Sequence, residues 1–200
     1  MSQSWLAAAL TLIVSAVAVP ALAQAPGADV DARPDPAVVC HVGVYRLDDG
    51  SWVDVAPLVN TGLRWRRLDG STARMLPDAQ GHWVSTLGST RRVEGPQPQL
   101  GSCDEGQIVF EGQTGRRLTQ NVQDTTFVGQ GGTRLKGRLI LPTGDGPVPI
   151  MVEVHGSEGA NALDFNAFQR FAPASGVGVF VYAKRGSGGS EGRYTQDFHV

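Results

Sequence analysis

The spacing of apolar positions changes twice along the chain. Residues 38–111 alternate apolar and polar in short runs, each stopped by a turn dipeptide. Residues 42–47, then Asp48-Asp49-Gly50, then residues 52–55 predict a β-hairpin, because Gly adopts the positive φ that a tight turn needs. Residues 63–68, Asp69-Gly70 and residues 72–76 repeat the device. His82-Trp83-Val84-Ser85-Thr86 follows Gln80-Gly81 as another strand, and residues 107–110 close the set. A strand turns one face to a core and the other to water. The pattern therefore predicts a small antiparallel β domain, barrel-like or sheet, over residues 38–112.

Longer alternations occupy residues 116–128 and 133–141, with Gly129-Gln130-Gly131-Gly132 between them, and predict a hairpin of two long strands. After a Pro- and Gly-rich loop at 142–147 the pattern becomes solid. Val148-Pro149-Ile150-Met151-Val152-Glu153-Val154 and Val177-Gly178-Val179-Phe180-Val181-Tyr182 are continuous apolar runs, as expected of strands buried on both faces. Between them Leu163, Phe165, Phe168, Phe171 and Ala172 give a helical apolar face from Phe165 onward, predicting a helix over 161–175 that Asp164 favours at its start and Pro173 and Gly176 end. Strand, helix and strand in this order predict a right-handed βαβ unit. Chemistry in such folds gathers in the loops at the carboxyl ends of the strands. Here those loops are His155-Gly156-Ser157-Glu158-Gly159 and Lys184-Arg185-Gly186-Ser187-Gly188-Gly189-Ser190.

These two loops, in this order and continued by Glu191-Gly192-Arg193-Tyr194-Thr195-Gln196-Asp197-Phe198, resemble the N-terminal part of secreted bacterial α/β-hydrolases of the serine esterase and peptidase type. The resemblance runs from about residue 125 to residue 200. The fold class expected is α/β: an incomplete α/β-hydrolase sheet, a hairpin plus one βαβ unit over 113–200, preceded by the small antiparallel β domain. The resemblance implies that His155-Gly156 is the turn before an oxyanion hole and that the Ser157 N–H is one of its donors. Gly156 lets the backbone aim its N–H groups without a Cβ in the way. His155 is expected to hold the loop by hydrogen bonds, since no nucleophile or orienting carboxylate stands near it. Glu158 is expected to belong to the rim or to brace the loop, because a carboxylate aimed at an oxyanion would oppose catalysis. Where relatives often carry Asp before Lys-Arg-Gly this chain has Ala183, which removes a carboxylate able to brace the loop.

Gly188-Gly189-Ser190-Glu191-Gly192 matches G-x-S-x-G, but that motif acts only at a strand-to-helix elbow. Here the strand ends near Tyr182 and a loop intervenes, while the only Asp and His after Ser190 are Asp197 and His199, a few residues away. Ser190 is therefore read as a loop residue. No catalytic residue is assigned within the chain, and the nucleophile, acid and His are expected beyond residue 200. The function implied by the resemblance is hydrolysis of carboxylic esters through an acyl-enzyme, acting on a small-molecule ester. The alternatives are a serine peptidase of the same fold acting on a peptide, or a non-catalytic exported binding protein that uses the β domain.

Composition narrows the classes. With 41% hydrophobic and 18% charged residues the chain supports a sizeable core, and a net charge of −2 gives no electrostatic case for nucleic acid. Residues 5–19 are apolar and are followed by Pro20 and Ala21-Leu22-Ala23, the small-x-small pattern of a signal peptide over 1–23. Residues 24–37 read as a linker. Export to the periplasm or beyond, with no stable membrane span after cleavage, permits a Cys40–Cys103 disulfide worth roughly 3–4 kcal/mol. His41 beside Cys40 has no second ligand pair at useful spacing, so neither a metal nor a cofactor is expected. Trp52, Trp65 and Trp83 are read first as core and second as sugar-stacking rings, and Arg64, Arg66 and Arg67 as a solvated face.

Overall fold

The structure, a computed structural model, describes residues 36–58, 62–88, 92–154, 156, 159, 161–163 and 166–195. The expectations for residues 1–35, and the positions of His155, Ser157 and Glu158, lie outside the described residues.

After a one-turn helix α1 (Pro36–Val39), eight strands form one antiparallel sheet: β1 (Gly43–Leu47), β2 (Trp52–Pro57), β3 (Leu63–Arg66), β4 (Thr72–Pro77), β5 (Trp83–Thr86), β6 (Gln99–Leu100), β7 (Gln107–Phe110) and β8 (Gln113–Arg117). Their spatial order is β5-β4-β3-β2-β1-β8-β7-β6. The first two turns use the chemistry their sequences announce. Gly50 and Gly70 sit at φ 82° and 89°, and Asp49 and Asp69 each accept the N–H two residues on, at 2.8 Å. Alternation buries Tyr45, Leu47, Val53, Val55, Leu63, Trp65, Ala73, Met75, Ile108 and Phe110 in one core, and each large side chain there contributes about 1.5–3 kcal/mol.

The sheet curls until its two edges almost meet. The Gln97 side chain, two residues before β6, offers Oε1 to the Ser85 N–H at 2.8 Å and Nε2 to the Ser85 carbonyl at 3.4 Å. A side-chain amide thus imitates a strand peptide at the open edge of β5. The Glu94 N–H also reaches the Ser85 carbonyl, at 3.2 Å. Covering an edge in this way blunts its tendency to pair with other chains.

A second sheet has order β11-β12-β10-β9. Its strands β9 (Asn121–Val128) and β10 (Arg134–Leu141) pair antiparallel along their whole length, and β11 (Ile150–Glu153) runs parallel to β12 (Gly178–Tyr182). Helix α2 (Phe168–Ala174) lies between these last two in the chain.

The expected α/β class does not hold. Strand accounts for 42% of the structure, whereas the helices among the described residues are the four residues of α1, the seven of α2 and a 3-10 turn at Gln130–Gly132. The chain is a β protein built on a nearly closed, barrel-like sheet, and the incomplete α/β-hydrolase sheet expected over 113–200 is corrected accordingly. The local reason is in the crossover segment. Asn161 Oδ1 takes the Leu163 N–H at 3.1 Å and Asn166 Oδ1 takes the Phe168 N–H at 2.9 Å. These side chains compete with helical hydrogen bonds, so the helix expected over 161–175 shrinks to one that begins at Phe168. Pro173 lies in its last turn rather than beyond it.

The two sheets are tied at one point. Arg170 of α2 makes a two-pronged ion pair with Asp54 of β2, with Nη2 2.9 Å from Oδ2 and Nε on Oδ1. Gln120 adds a bond from Nε2 to the Arg170 carbonyl at 2.7 Å. An open cleft of about 1290 Å³ lies alongside, lined by Val39, Val42, Gln120, Arg138, Leu163 and Arg170 among others.

Candidate active-site loops

β11 and β12 end side by side, so the loops that follow them share one edge of the second sheet. Of the first loop the structure describes Gly156 and Gly159, both against residues of the second. Lys184 Nζ donates to the Gly156 carbonyl at 2.7 Å and lies 4.9 Å from the centre of the Tyr194 ring. A Cβ on Gly159 would stand 3.3 Å from that ring. One lysine thus joins the carbonyl of the expected oxyanion turn to the second loop, through a charge-assisted hydrogen bond and a cation–π contact. Nothing local announces this contact, because Lys184 and Gly156 meet through the parallel pairing of β11 and β12.

The second loop is held without the carboxylate that Ala183 replaces. Ala183 is fully buried against Leu163 and Val181, its N–H bonds the Lys136 carbonyl at 2.9 Å, and its carbonyl accepts Ser190 Oγ at 2.8 Å. Ser190 Oγ also accepts the Lys136 N–H at 2.9 Å. Glu191 pairs with Arg134 twice, N–H to carbonyl at 2.9 Å and Oε2 to N–H at 3.1 Å. The loop is therefore stitched to β10 as an irregular extra strand. Its glycines are obligatory at two places. Gly186 and Gly188 have φ of 71° and 52°, and a Cβ would strike the Tyr194 N–H from Gly186, or Asn161 Oδ1 and Ala183 from Gly188.

Backbone groups hold the Ser190 hydroxyl on two sides. It donates one hydrogen bond and accepts another, both to backbone, and no helix follows among the described residues. A nucleophile needs its oxygen exposed beside a base. In this structure the Ser190 hydroxyl links the loop to β10.

The other candidates lie elsewhere. Cys40 and Cys103 are joined, with Cα atoms 5.3 Å apart. Arg117 caps the bridge from both sides, with Nη1 on the Cys40 carbonyl and Nη2 on the Cys103 carbonyl at 3.2 Å. His41 Nε2 lies 3.8 Å from Cys103 Sγ. Cys40, His41 and Cys103 thus bring their ligand atoms within 4.8 Å of one another, but the sulfurs are committed to each other. Burial and then the charge of Arg117 hold the His41 pKa below the ordinary histidine value.

The three tryptophans separate. Trp65 is core: its Nε1 donates to Ser85 Oγ at 3.0 Å and its ring meets Phe110 edge-on at 5.1 Å. Trp83 packs against the same core. Trp52 points to the other face, opposite Arg46. Arg67 is paired with Glu111 at 2.6 Å.

No curated protein matches the chain. Residues 105–199, which take in β7 to β12 and both loops, match the family model of acetyl xylan esterase (AXE1), a serine esterase family that supports carboxylic-ester hydrolysis.

Proposed function

We propose that this protein hydrolyses carboxylic esters by acyl-enzyme chemistry, with short acyl groups on a polysaccharide as its substrate class. The observation that carries the reading is the esterase-family match over 105–199, because it spans both loops at the ends of β11 and β12. In this reading the Ser157 N–H is an oxyanion donor, Gly156 and His155 set the turn that aims it, and the nucleophile is a serine other than Ser190. Neither metal nor cofactor enters the chemistry. The protein is exported after cleavage between Ala23 and Gln24, and strands β1 to β6 of the first sheet precede the esterase segment.

The test is hydrolysis of 4-nitrophenyl acetate and of acetylated xylan by the whole protein, with fluorophosphonate labelling mapped by mass spectrometry. The expected result is turnover of both esters and label on a serine other than Ser190. Gly156→Pro, checked for folding by circular dichroism, should lower kcat by about 10²–10³, the usual loss for one oxyanion donor. Label on Ser190, or no ester turnover by a folded and complete protein, would overturn the reading. An exported protein that still begins at Met1 would refute the cleavage site.

A further inference from the structure

The outer face of the eight-stranded sheet carries positive charge that its own chain leaves uncompensated. Residues directly opposite each other in antiparallel strands point to the same side. Register places Arg64 opposite Arg74, Arg66 opposite Asp54, Arg46 opposite Trp52, and Arg46 opposite Arg116. The Val44–Asp54 pairing joins these rows across β1 and β2. Five arginines and one tryptophan therefore share the face turned away from the core, around Val44 and Asp54, which are buried, Asp54 beneath Arg170 of α2. The single acid in these rows, Asp54, has both oxygens on Arg170. Among the described residues none of the five arginines forms an ion pair, unlike Arg67, Arg92, Arg138 and Arg170. Arg64 Nε and Trp52 Nε1 are both buried with no acceptor. Burial first, then the charges of Arg66 and Arg74, press the Arg64 pKa below the ordinary arginine value.

Like charges set directly opposite destabilise a strand pair. β3 and β4 nonetheless hold Arg64 against Arg74, and an anionic ligand would relieve that repulsion. We propose that Arg46, Arg64, Arg66, Arg74 and Arg116, with Trp52, form a binding face for a carboxylate-bearing polysaccharide. The planar guanidinium fork matches a carboxylate through two parallel hydrogen bonds. Neighbouring strands lie about 4.8 Å apart, so the opposed pairs Arg64–Arg74 and Arg46–Arg116 each set two cations at a spacing that suits successive carboxylates of a polyuronate chain. Trp52 adds an aromatic surface of the kind that packs against the apolar side of a sugar ring. Nucleic acid fits less well, because one tryptophan gives no ladder for stacking bases. The face is separate from the loops after β11 and β12, so this inference does not rest on the esterase reading.

The test is affinity electrophoresis of the whole protein in gels containing polygalacturonate, with neutral xylan, single-stranded RNA and phosphatidylserine vesicles as comparison probes. The expected result is retardation by polygalacturonate that fades as salt rises, since exposed charges are screened beyond about 8 Å at physiological ionic strength. Arg64→Gln with Arg74→Gln should weaken binding about tenfold without lowering Tm, because it also removes a repulsion. Arg64→Lys with Arg74→Lys should keep part of the retardation. Arg46→Gln with Arg116→Gln is a second, independent variant should the first fold poorly. Ester hydrolysis should be unchanged in every variant, so loss of binding and failure of the esterase reading are separable. No retardation of the wild type, unchanged binding in both Gln variants, or tighter binding to RNA or vesicles than to polygalacturonate would overturn the proposal.

Discussion

Asp54→Asn should loosen the join between the two sheets. The Asp54 side chain is 0% exposed and that of Arg170 11%, so little water is present to replace a lost partner. Two charge-assisted hydrogen bonds hold the pair, and the amide of Asn can keep the shape but not the charge. Removing one partner of a buried ion pair typically costs about 3–5 kcal/mol, most of it from the charge left behind. For a chain of this size each kcal/mol moves Tm by about 2–4 °C, so a fall of roughly 6–20 °C is expected. Scanning calorimetry measures it. Hydrogen exchange should localise the damage, with α2 amides losing protection before those of β2 and β3. Asp54→Leu with Arg170→Met should recover most of the loss, because well-packed apolar replacements of buried pairs are often neutral or stabilising. A single-variant shift under about 2 °C, or a double variant as unstable as the single, would refute the argument.

Non-reducing peptide mapping should show Cys40 linked to Cys103, and two alkylatable thiols in exported protein would contradict it. With a sequence separation of 63 the bridge should contribute about 4 kcal/mol in the chain-entropy model, measured by urea denaturation of Cys40→Ser with Cys103→Ser. The His41 pKa is depressed in the fold, from 6.5, by burial and by Arg117. Its contribution to stability is therefore present above pH 6.5 and lost as pH falls through the lower folded value, where the unfolded chain binds the proton first. His41→Gln should flatten that dependence, and an unchanged Tm-versus-pH curve would count against the assignment. Gly188→Ala sets a Cβ 2.7 Å from that of Ala183 at a φ of 52° and should cost about 1–3 kcal/mol, read as a lower Tm with earlier exchange at Lys136 and Ser190.

The sequence carried its most reliable information in short-range chemistry. The turns at Asp49-Gly50 and Asp69-Gly70 were legible because φ and side-chain hydrogen bonds are set within four residues. Strands β1 to β5 and β7 were legible because burial of one face writes itself as alternation. The reading of Ser190 as a loop residue rests on the strand that ends near Tyr182, well before it. Strands β6 and β8 escaped notice. β6 is two residues long, and Gln113–Arg117 looks polar because only Gly115 of it is buried, against Leu47 and Ile108.

Tertiary structure decided the rest. The solid runs around β11 and β12 were correctly strands, yet the apolar face at Phe165 to Ala172 overstated the helix, because periodicity records which side is buried and not whether Asn161 and Asn166 divert the backbone hydrogen bonds. The class was misjudged for a related reason: an eight-stranded sheet is mostly long-range pairing, and nothing local in Gln97 announces that its amide will complete the edge of β5. The same holds for the functional parts. Lys184 meets Gly156 across 28 residues and Arg170 meets Asp54 across 116. The five outer arginines become one face only when register aligns five strands. Local sequence sets what each residue prefers to do, but charge and hydrogen-bond partners drawn from distant segments exist only once the chain has closed the loops between them.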